Sequence, residues 1–206
     1  NHRANIFALK QQGVDRLITI SAVGSFREDL KPGDLVLVDQ YVDRTKRGED
    51  HTFFGNGLVA HVGFAAPTCP SLRNKVAPVA ESVLSSKPAT PFGRPPRVHE
   101  GGTYVNMEGP AFSTRAESFL HKSWGMDVIG MTSLAEAKLA REAEMCFCVL
   151  AFVTDYDCWH DVHEAVSVQM ILDVLRRNAN TAKELLSRIV PLCGTRGRLD
   201  CECRNA

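Results

Sequence analysis

Two aspartates, Asp155 and Asp157, close the apolar run "CVLAFVTDYDCWHD" with a single residue between them. Residues i and i+2 of a strand project to one face, so the two carboxylates can converge on one ligand. Neighbouring carboxylates resist ionising together, which strengthens the hold of one of them on a proton. One then donates a hydrogen bond while the other accepts. A purine with an exocyclic amino group asks for that pair: a donor toward its imidazole-ring nitrogen and an acceptor for the amino group. The same residues also suit a helix N-cap and turn ahead of "CWHDVHEAV", and spacing alone leaves both readings open.

The stretch beyond them invites a metal. Asp155, Asp157, His160, His163 and Glu164 are all of types that ligate zinc or non-haem iron. Their order and spacing match none of the standard helix-borne metal motifs. Asp161 and Glu164 equally suit a solvated first helical turn, where the dipole favours acidic side chains. No metal is therefore expected. Two C-x-C pairs are treated alike: Cys146 and Cys148 share one face of an apolar strand and read as core thiols. Cys201 and Cys203 read as exposed and redox-active rather than zinc-bound.

Strands and helices that must position these groups alternate along the chain. "NHRANIFALKQQG" reads as a helix capped at Gly13, and "RLITISAVGS" as a strand running into the small-residue turn Ala22 to Ser25. "GDLVLVDQYV" reads as a second strand, and Thr45 to Phe64 as a long loop suited to a binding lid. Residues 70 to 86 read as a helix with Pro78 a blemish, and "KPATPFGRPPRVHEGG" as a proline-rich surface loop. Strand "TYVNMEG", helix "STRAESFLHKSWG", strand "MDVIGMT", helix "SLAEAKLAREAEM" and strand "CFCVLAFVTDYD" follow. A long helix from Val166 to Val190 ends the pattern, and 193–206 reads as a loose tail. The alternation predicts one α/β domain over 1–206 with a mostly parallel, buried sheet. In such sheets ligands bind beyond the carboxyl ends of the strands. Those ends are Ser21 to Ser25, Met107 to Pro110, Gly130 to Ser133 and Thr154 to Asp157.

Composition excludes several classes. The 206 residues are 44% hydrophobic and 23% charged, with a formal net charge of zero, so nothing steers the chain toward nucleic acid or an anionic membrane surface. No apolar run reaches the length of a membrane span. There is no Gly-x-Gly-x-x-Gly and no phosphate-cradling Gly-Lys-Ser loop, which argues against dinucleotides and nucleoside triphosphates. Seven cysteines, an odd number partly inside strands, fit reduced thiols and a cytoplasmic protein, with the nucleus as a second compartment.

Taken in order, "NHRANIFALK", "SAVGS", "DLVLVDQYVDRT", "NMEGPAFSTRAES", "DVIGMTSLAEAKLA", "TDYDCW" and "HEAVSVQMILDVL" resemble the 5′-methylthioadenosine phosphorylases of the trimeric nucleoside phosphorylase superfamily. The resemblance runs from residue 1 to about residue 190. It implies a mixed sheet, partly closed as a barrel and flanked by helices, in a homotrimer. It also implies phosphorolysis of 5′-methylthioadenosine to adenine and 5-methylthioribose 1-phosphate, with inorganic phosphate as co-substrate and no cofactor. Asp155 would share a proton with the imidazole-ring nitrogen, and Asp157 would accept from the amino group. The 6-oxo purine enzymes carry Asn at the first position, so Asp155 implies an amino purine. Ser21 and Ala22 match the phosphate and ribose strand end. Met131 matches a residue against the ribose, Thr132 one on the phosphate side, and Phe112 the aromatic over the base; Gly130 and Thr154 belong to the same substrate-binding strand ends. His61 matches a lid residue near the 5′ end of the sugar. Val168, where the 6-oxo enzymes have His, forms with Ile171 and Leu172 an apolar wall for a methylthio group. Those three at helical spacing are equally a helix's core face.

Some features depart from the pattern. Gly130 stands where the eukaryotic enzymes often have Asn, although bacterial and archaeal relatives carry Gly. The family's phosphate turn and Arg-His loop belong upstream of "NHRANI", so the chain is expected to lack the family's N-terminal part. Rival readings are a broader purine nucleoside phosphorylase acting on inosine or adenosine, a non-catalytic nucleoside-binding domain, and a metal-dependent hydrolase built on "DYDCWHDVHE".

Overall fold

The computed structural model describes residues 1–46, 48–160, 168–194 and 199–205. Its longest strand, β7 (Cys146–Tyr156), explains why that run is apolar without alternation. Cys146, Cys148, Leu150 and Phe152 pack into one core, while Phe147, Val149, Ala151 and Val153 pack into another on the opposite face. Successive residues of a strand face opposite sides, so burial of both faces requires an unbroken apolar sequence.

The remaining strands are β1 (Arg16–Ser25), β2 (Leu35–Leu37), β3 (Gln40–Arg44), β4 (Val98–Glu100), β5 (Thr103–Met107) and β6 (Val128–Gly130). They form one sheet in the order β3-β5-β6-β1-β7-β2-β4. The sheet is mixed and, as expected, mostly parallel: β2 with β4, β3 with β5 and β5 with β6 pair in parallel. β1 runs parallel to β7, but β6 is antiparallel to β1 and β2 is antiparallel to β7.

Connectivity forces this sheet to curl. Only Val38 and Asp39 separate β2 from β3, yet the two strands are five places apart in the order. In a flat sheet that gap is roughly 24 Å, whereas the three peptide steps from Leu37 to Gln40 reach about 11 Å. The same holds for β4 and β5, joined by Gly101 and Gly102 alone. The stretch "GDLVLVDQYV" is thus two strands bent across a half-barrel, and the end of the proline-rich segment is a strand, β4. Both glycines have positive φ, and a Cβ on Gly102 would stand 2.9 Å from Val36 Cγ1. A side chain at this seam would push the bent strands apart.

Among the described residues, five helices flank the sheet. α2 (Pro70–Ser85) and α5 (Val168–Cys193) cover one face, and α1 (His2–Gln11) and α4 (Ser133–Glu142) the other. α3 (Arg115–Ser123) starts at a capping box in which Thr114 and Glu117 satisfy each other's backbone donors. Pro70 opens α2, where its missing N–H costs nothing. The described part of the tail expected to be loose is packed instead: Leu199 and Cys203 are buried in the core shared by α2 and α5. Among the described residues, no helix is long and apolar enough to cross a membrane.

Candidate active site

The end of β7 is irregular, and the irregularity re-aims an aspartate. Val23 of β1 lies opposite Val153, but the next residue, Gly24, lies opposite Asp155. Thr154 is the extra residue of this β-bulge. The insertion turns Asp155 away from the core face that Val153 occupies and leaves Thr154 Oγ1 3.2 Å from the carbonyl of Val23 and 2.6 Å from Asp155 Oδ1. A hydroxyl has one proton, and the shorter, charge-assisted contact takes it. Bulges are used next to active sites for this purpose.

Gly24 stands between the two aspartates. It faces Asp155 across the ladder. A Cβ built on it would meet Asp157 Cβ at 3.5 Å and Ile129 Cγ2 at 3.2 Å. The backbone N–H of Asp157 donates to Ser25 at 3.0 Å, which fixes the second aspartate against β1. Asp157 is 8% exposed, and its Oδ2 is buried without a hydrogen-bond partner among the described residues. A buried carboxylate oxygen left unpaired costs about 1–3 kcal/mol or more, and a ligand's amino group removes that cost. Nearby His121 is also buried with neither ring nitrogen bonded. Burial pushes its proton affinity down, against the pull of Asp157 and Glu117. It packs edge-on against Phe26 and Trp124.

The strand ends expected to meet sugar and phosphate rest on a hydroxyl network that the residue types alone did not reveal. Ser21 Oγ lies 3.0 Å from the hydroxyl of Tyr104, a fully buried side chain on β5. Burial keeps the Tyr104 phenol protonated, against hydrogen bonds from Ser21, Thr132 and Ser133 that favour its ionised form. Tyr41, stacked at a tilt 5.4 Å from Tyr104, bonds Ser133 at 2.5 Å. Thr132 is the N-cap residue of α4 yet makes no cap bond; Asn106 Oδ1 accepts from the Leu134 N–H instead, at 3.1 Å. Ala22 and Thr132 are exposed at this edge. Met131 is half-buried, its sulfur against Gly109, where a Cβ would come within 2.8 Å.

Gly130 has a clear physical reason. A Cβ there would stand 1.9 Å from the Tyr104 hydroxyl oxygen. Tyr104 occupies the space a larger residue would need. Replacing Gly130 by Ala is expected to destabilise the protein by about 1–3 kcal/mol, as overpacking does. The Tyr104→Phe change on top is expected to recover part of it, since Tyr104 Cζ would still lie 2.6 Å away. Denaturant midpoints of the single and double variants measure this, and an unaffected single variant would refute the packing argument.

Not every expected residue joins this group. Phe112 is 84% exposed in the turn after the cis Gly109–Pro110 bond. His61 is exposed in the irregular segment between the 3₁₀ turn Gly48–His51 and α2. That segment is held down at the far end of α4, where Arg141 donates to Gly63 and Glu142 accepts from Thr52 and Phe53. Val168 begins α5 and Ile171 lies in its first turn, but their side chains are outside the described residues. Leu172 is 41% exposed. His163 and Glu164 also fall outside the described residues. The ring of His160 stacks on Tyr156 at 4.3 Å and meets Glu28 at 3.1 Å, while its backbone N–H donates to the Asp157 carbonyl at 3.2 Å.

Comparison with known proteins gives the family. Residues 1–191 match the phosphorylase superfamily. The chain belongs to that family. Its relatives include S-methyl-5′-thioadenosine phosphorylases from Gloeobacter violaceus, 54% identical over 188 residues, and from Geobacter sulfurreducens, 50% identical over 190. These alignments cover 91% and 92% of this chain but 60% and 63% of the relatives. The chain thus spans somewhat under two thirds of their length. Among solved structures, a methylthioadenosine phosphorylase from an antarctic soil metagenomic library superposes with a TM-score of 0.88 at 41% identity, covering 100% of this chain and 68% of that one. A mutant adenosine/methylthioadenosine phosphorylase from Schistosoma mansoni in complex with methylthioadenosine superposes at 0.84 and 36% identity, covering 96% and 71%. The curled mixed sheet of this chain is that of the family.

Proposed function

We propose that the chain carries the base- and sugar-binding part of a 5′-methylthioadenosine phosphorylase. The observation that carries the reading is the pair of aspartates around Gly24, one anchored by Thr154 and the other with a buried, unpartnered oxygen. In this reading Asp157 accepts from the adenine amino group, and Asp155 gives a proton to the imidazole-ring nitrogen. A phosphate oxygen bonds to C1′ of the sugar as the bond from C1′ to the base breaks. The electron pair of that bond goes to the purine, and the proton from Asp155 neutralises the charge that develops there. Ser21 and Thr132 meet phosphate, Ala22 and Met131 line the ribose, and Gly130 and Thr154 shape the floor. Phe112 folds over the base, while His61, Val168, Ile171 and Leu172 form the 5′ end of the pocket. No cofactor takes part. Exposed Phe112, Phe119 and Trp124, on and beside α3, support assembly into a trimer whose boundary runs close to the base.

The test is release of adenine from 5′-methylthioadenosine by the protein in its native full-length form, with and without phosphate, and with inosine in parallel. Phosphate-dependent cleavage of methylthioadenosine with little turnover of inosine is expected. Preference for inosine would transfer the reading to a broader purine nucleoside phosphorylase, and adenine binding without any cleavage to a binding domain.

A further inference from the structure

Four cysteines far apart in the chain meet at one point away from the aspartates. Cys69, Cys146, Cys201 and Cys203 place their sulfurs all within 4.8 Å of one another, and no other group of three or more metal-ligating side chains occurs among the described residues. Cys146 and Cys201 are 3.6 Å apart. Cys69, Cys146 and Cys203 are buried and Cys201 is half-buried. The expectation that Cys201 and Cys203 are exposed is therefore corrected.

The geometry points to a structural zinc site in which these four thiolates close around one ion. Zinc bound to four thiolates has Zn–S distances of about 2.3 Å, which places the sulfurs about 3.8 Å apart at the corners of a tetrahedron. The observed cluster needs contractions of no more than about 1 Å to reach that. Two disulfides would require only pairwise approach, to about 2.05 Å; here each sulfur is close to all three others. All seven cysteines, these four included, are free thiols in the structure.

The surroundings fit a closed site. Cys69 is the N-cap residue of α2, and its sulfur accepts from the Leu72 N–H at 3.4 Å. A helix N-terminus and an N–H···S bond both favour a thiolate at that position. Cys146 opens β7, so two ligands stand on the rigid core. The other two arrive on a tail held by independent contacts: Ser71 donates to the Asp200 carbonyl, Arg141 to the Glu202 carbonyl at 3.2 Å, and Arg204 pairs with Asp15 at 2.8 Å. Binding converts four thiols to thiolates, releases their protons, and leaves no open coordination position. The ion's role is to fasten the tail to the sheet.

Elemental analysis of protein purified anaerobically under reducing conditions tests the site, together with thiol counts of the native protein with and without chelator and of the denatured, metal-free protein. About one zinc per chain is expected, with the four thiols of the quartet reacting in native protein only after chelator is added. Cobalt(II) added to metal-stripped protein is expected to give thiolate-to-cobalt charge-transfer absorption. Cys203→Ser is expected to lose the zinc, whereas Cys148→Ser, outside the quartet, retains it. Should Cys203→Ser fail to fold, the zinc content and cobalt spectrum of the unaltered protein decide. Fewer than seven thiols in metal-free protein, iron in place of zinc, or seven thiols with no zinc uptake would each overturn the proposal.

Discussion

Asp155→Asn is expected to lower kcat/KM for 5′-methylthioadenosine by about 10²- to 10⁴-fold, the usual contribution of a positioned general acid. Most of the loss should fall on kcat, because the proton is needed when charge builds on the leaving base rather than when substrate binds. An amide cannot give up a proton at the imidazole-ring nitrogen. It keeps the size of the carboxylate and can still accept from Thr154, so the bulge and strand end should persist. The loss for inosine should be smaller, and the ratio of the two specificity constants should shift toward the 6-oxo purine. A site built around hydrogen bonds to one purine edge rejects the other edge strongly, since the mismatch leaves buried polar atoms unpaired. The decisive quantity is that ratio, measured by release of free base from each nucleoside. An equal loss for both substrates would mean that Asp155 supports the strand end and does not read the base.

Why part of this site was legible in the sequence, and part was not, follows from the kind of interaction involved. The strand end at Thr154 to Asp157 stood out because polar residues abruptly end an apolar run, and period-2 geometry predicts where i and i+2 point. The bulge was not legible. One extra residue changes which face Asp155 takes, and nothing in "VTDYD" marks it; the offset appears only against β1, 130 residues earlier. Gly24 lay within a turn of small residues, but its place between two carboxylates is likewise a property of the pairing. Tyr104 was missed because an aromatic inside a strand ordinarily reads as core. Its partner signal was Gly130, a residue with no side chain where a neighbour's hydroxyl intrudes.

Apart from the family resemblance, which implied a partly closed barrel, the curl of the sheet was legible only through connectivity. Short links between strands that lie far apart in the order leave no flat solution, yet the order itself is a long-range fact. The cysteines illustrate the same limit from the opposite side. Within the tail, C-x-C is an ambiguous local signal, and the two thiols that meet it, at the N-cap of α2 and the start of β7, lie more than 50 residues away. Local periodicity predicts what a segment can form; the ligands it shares with distant segments emerge only when the core is assembled.

Loss of one buried carboxylate remote from the substrate is expected to have the largest effect on stability. Asp34, 1% exposed at the entry to β2, receives Arg94 on both oxygens at 2.8 and 2.5 Å, the N–H groups of Lys31 and Arg97 at 3.0 and 2.9 Å, and stands 3.0 Å from His99. Its backbone carbonyl accepts from Val153 at 2.9 Å, one residue before the bulge that aims Asp155. Burial alone would raise its pKa, but the His99 and Arg94 contacts and the two N–H groups outweigh it and hold the pKa at about 2, against 3.8 for a free aspartate. A depressed carboxylate stabilises the fold fully above its unfolded pKa and loses that contribution as pH falls through the folded value. The window is therefore about pH 4 down to about pH 2, and the size roughly 2 kcal/mol at 1.36 kcal/mol per pKa unit. Asp34→Asn leaves half-buried Arg94 against a neutral amide and turns two hydrogen bonds into donor–donor contacts, a loss of about 3–5 kcal/mol at neutral pH. For a chain of this size that is roughly 6–20 °C in Tm. Because other carboxylates also titrate in acid, the quantity to follow is the stability difference between the two proteins from pH 6 to pH 2. It should stay constant to about pH 4 and then shrink. A difference that is small at neutral pH, or that does not change in acid, would show that the charge on Asp34 does not hold β2, β4 and the end of β7 together.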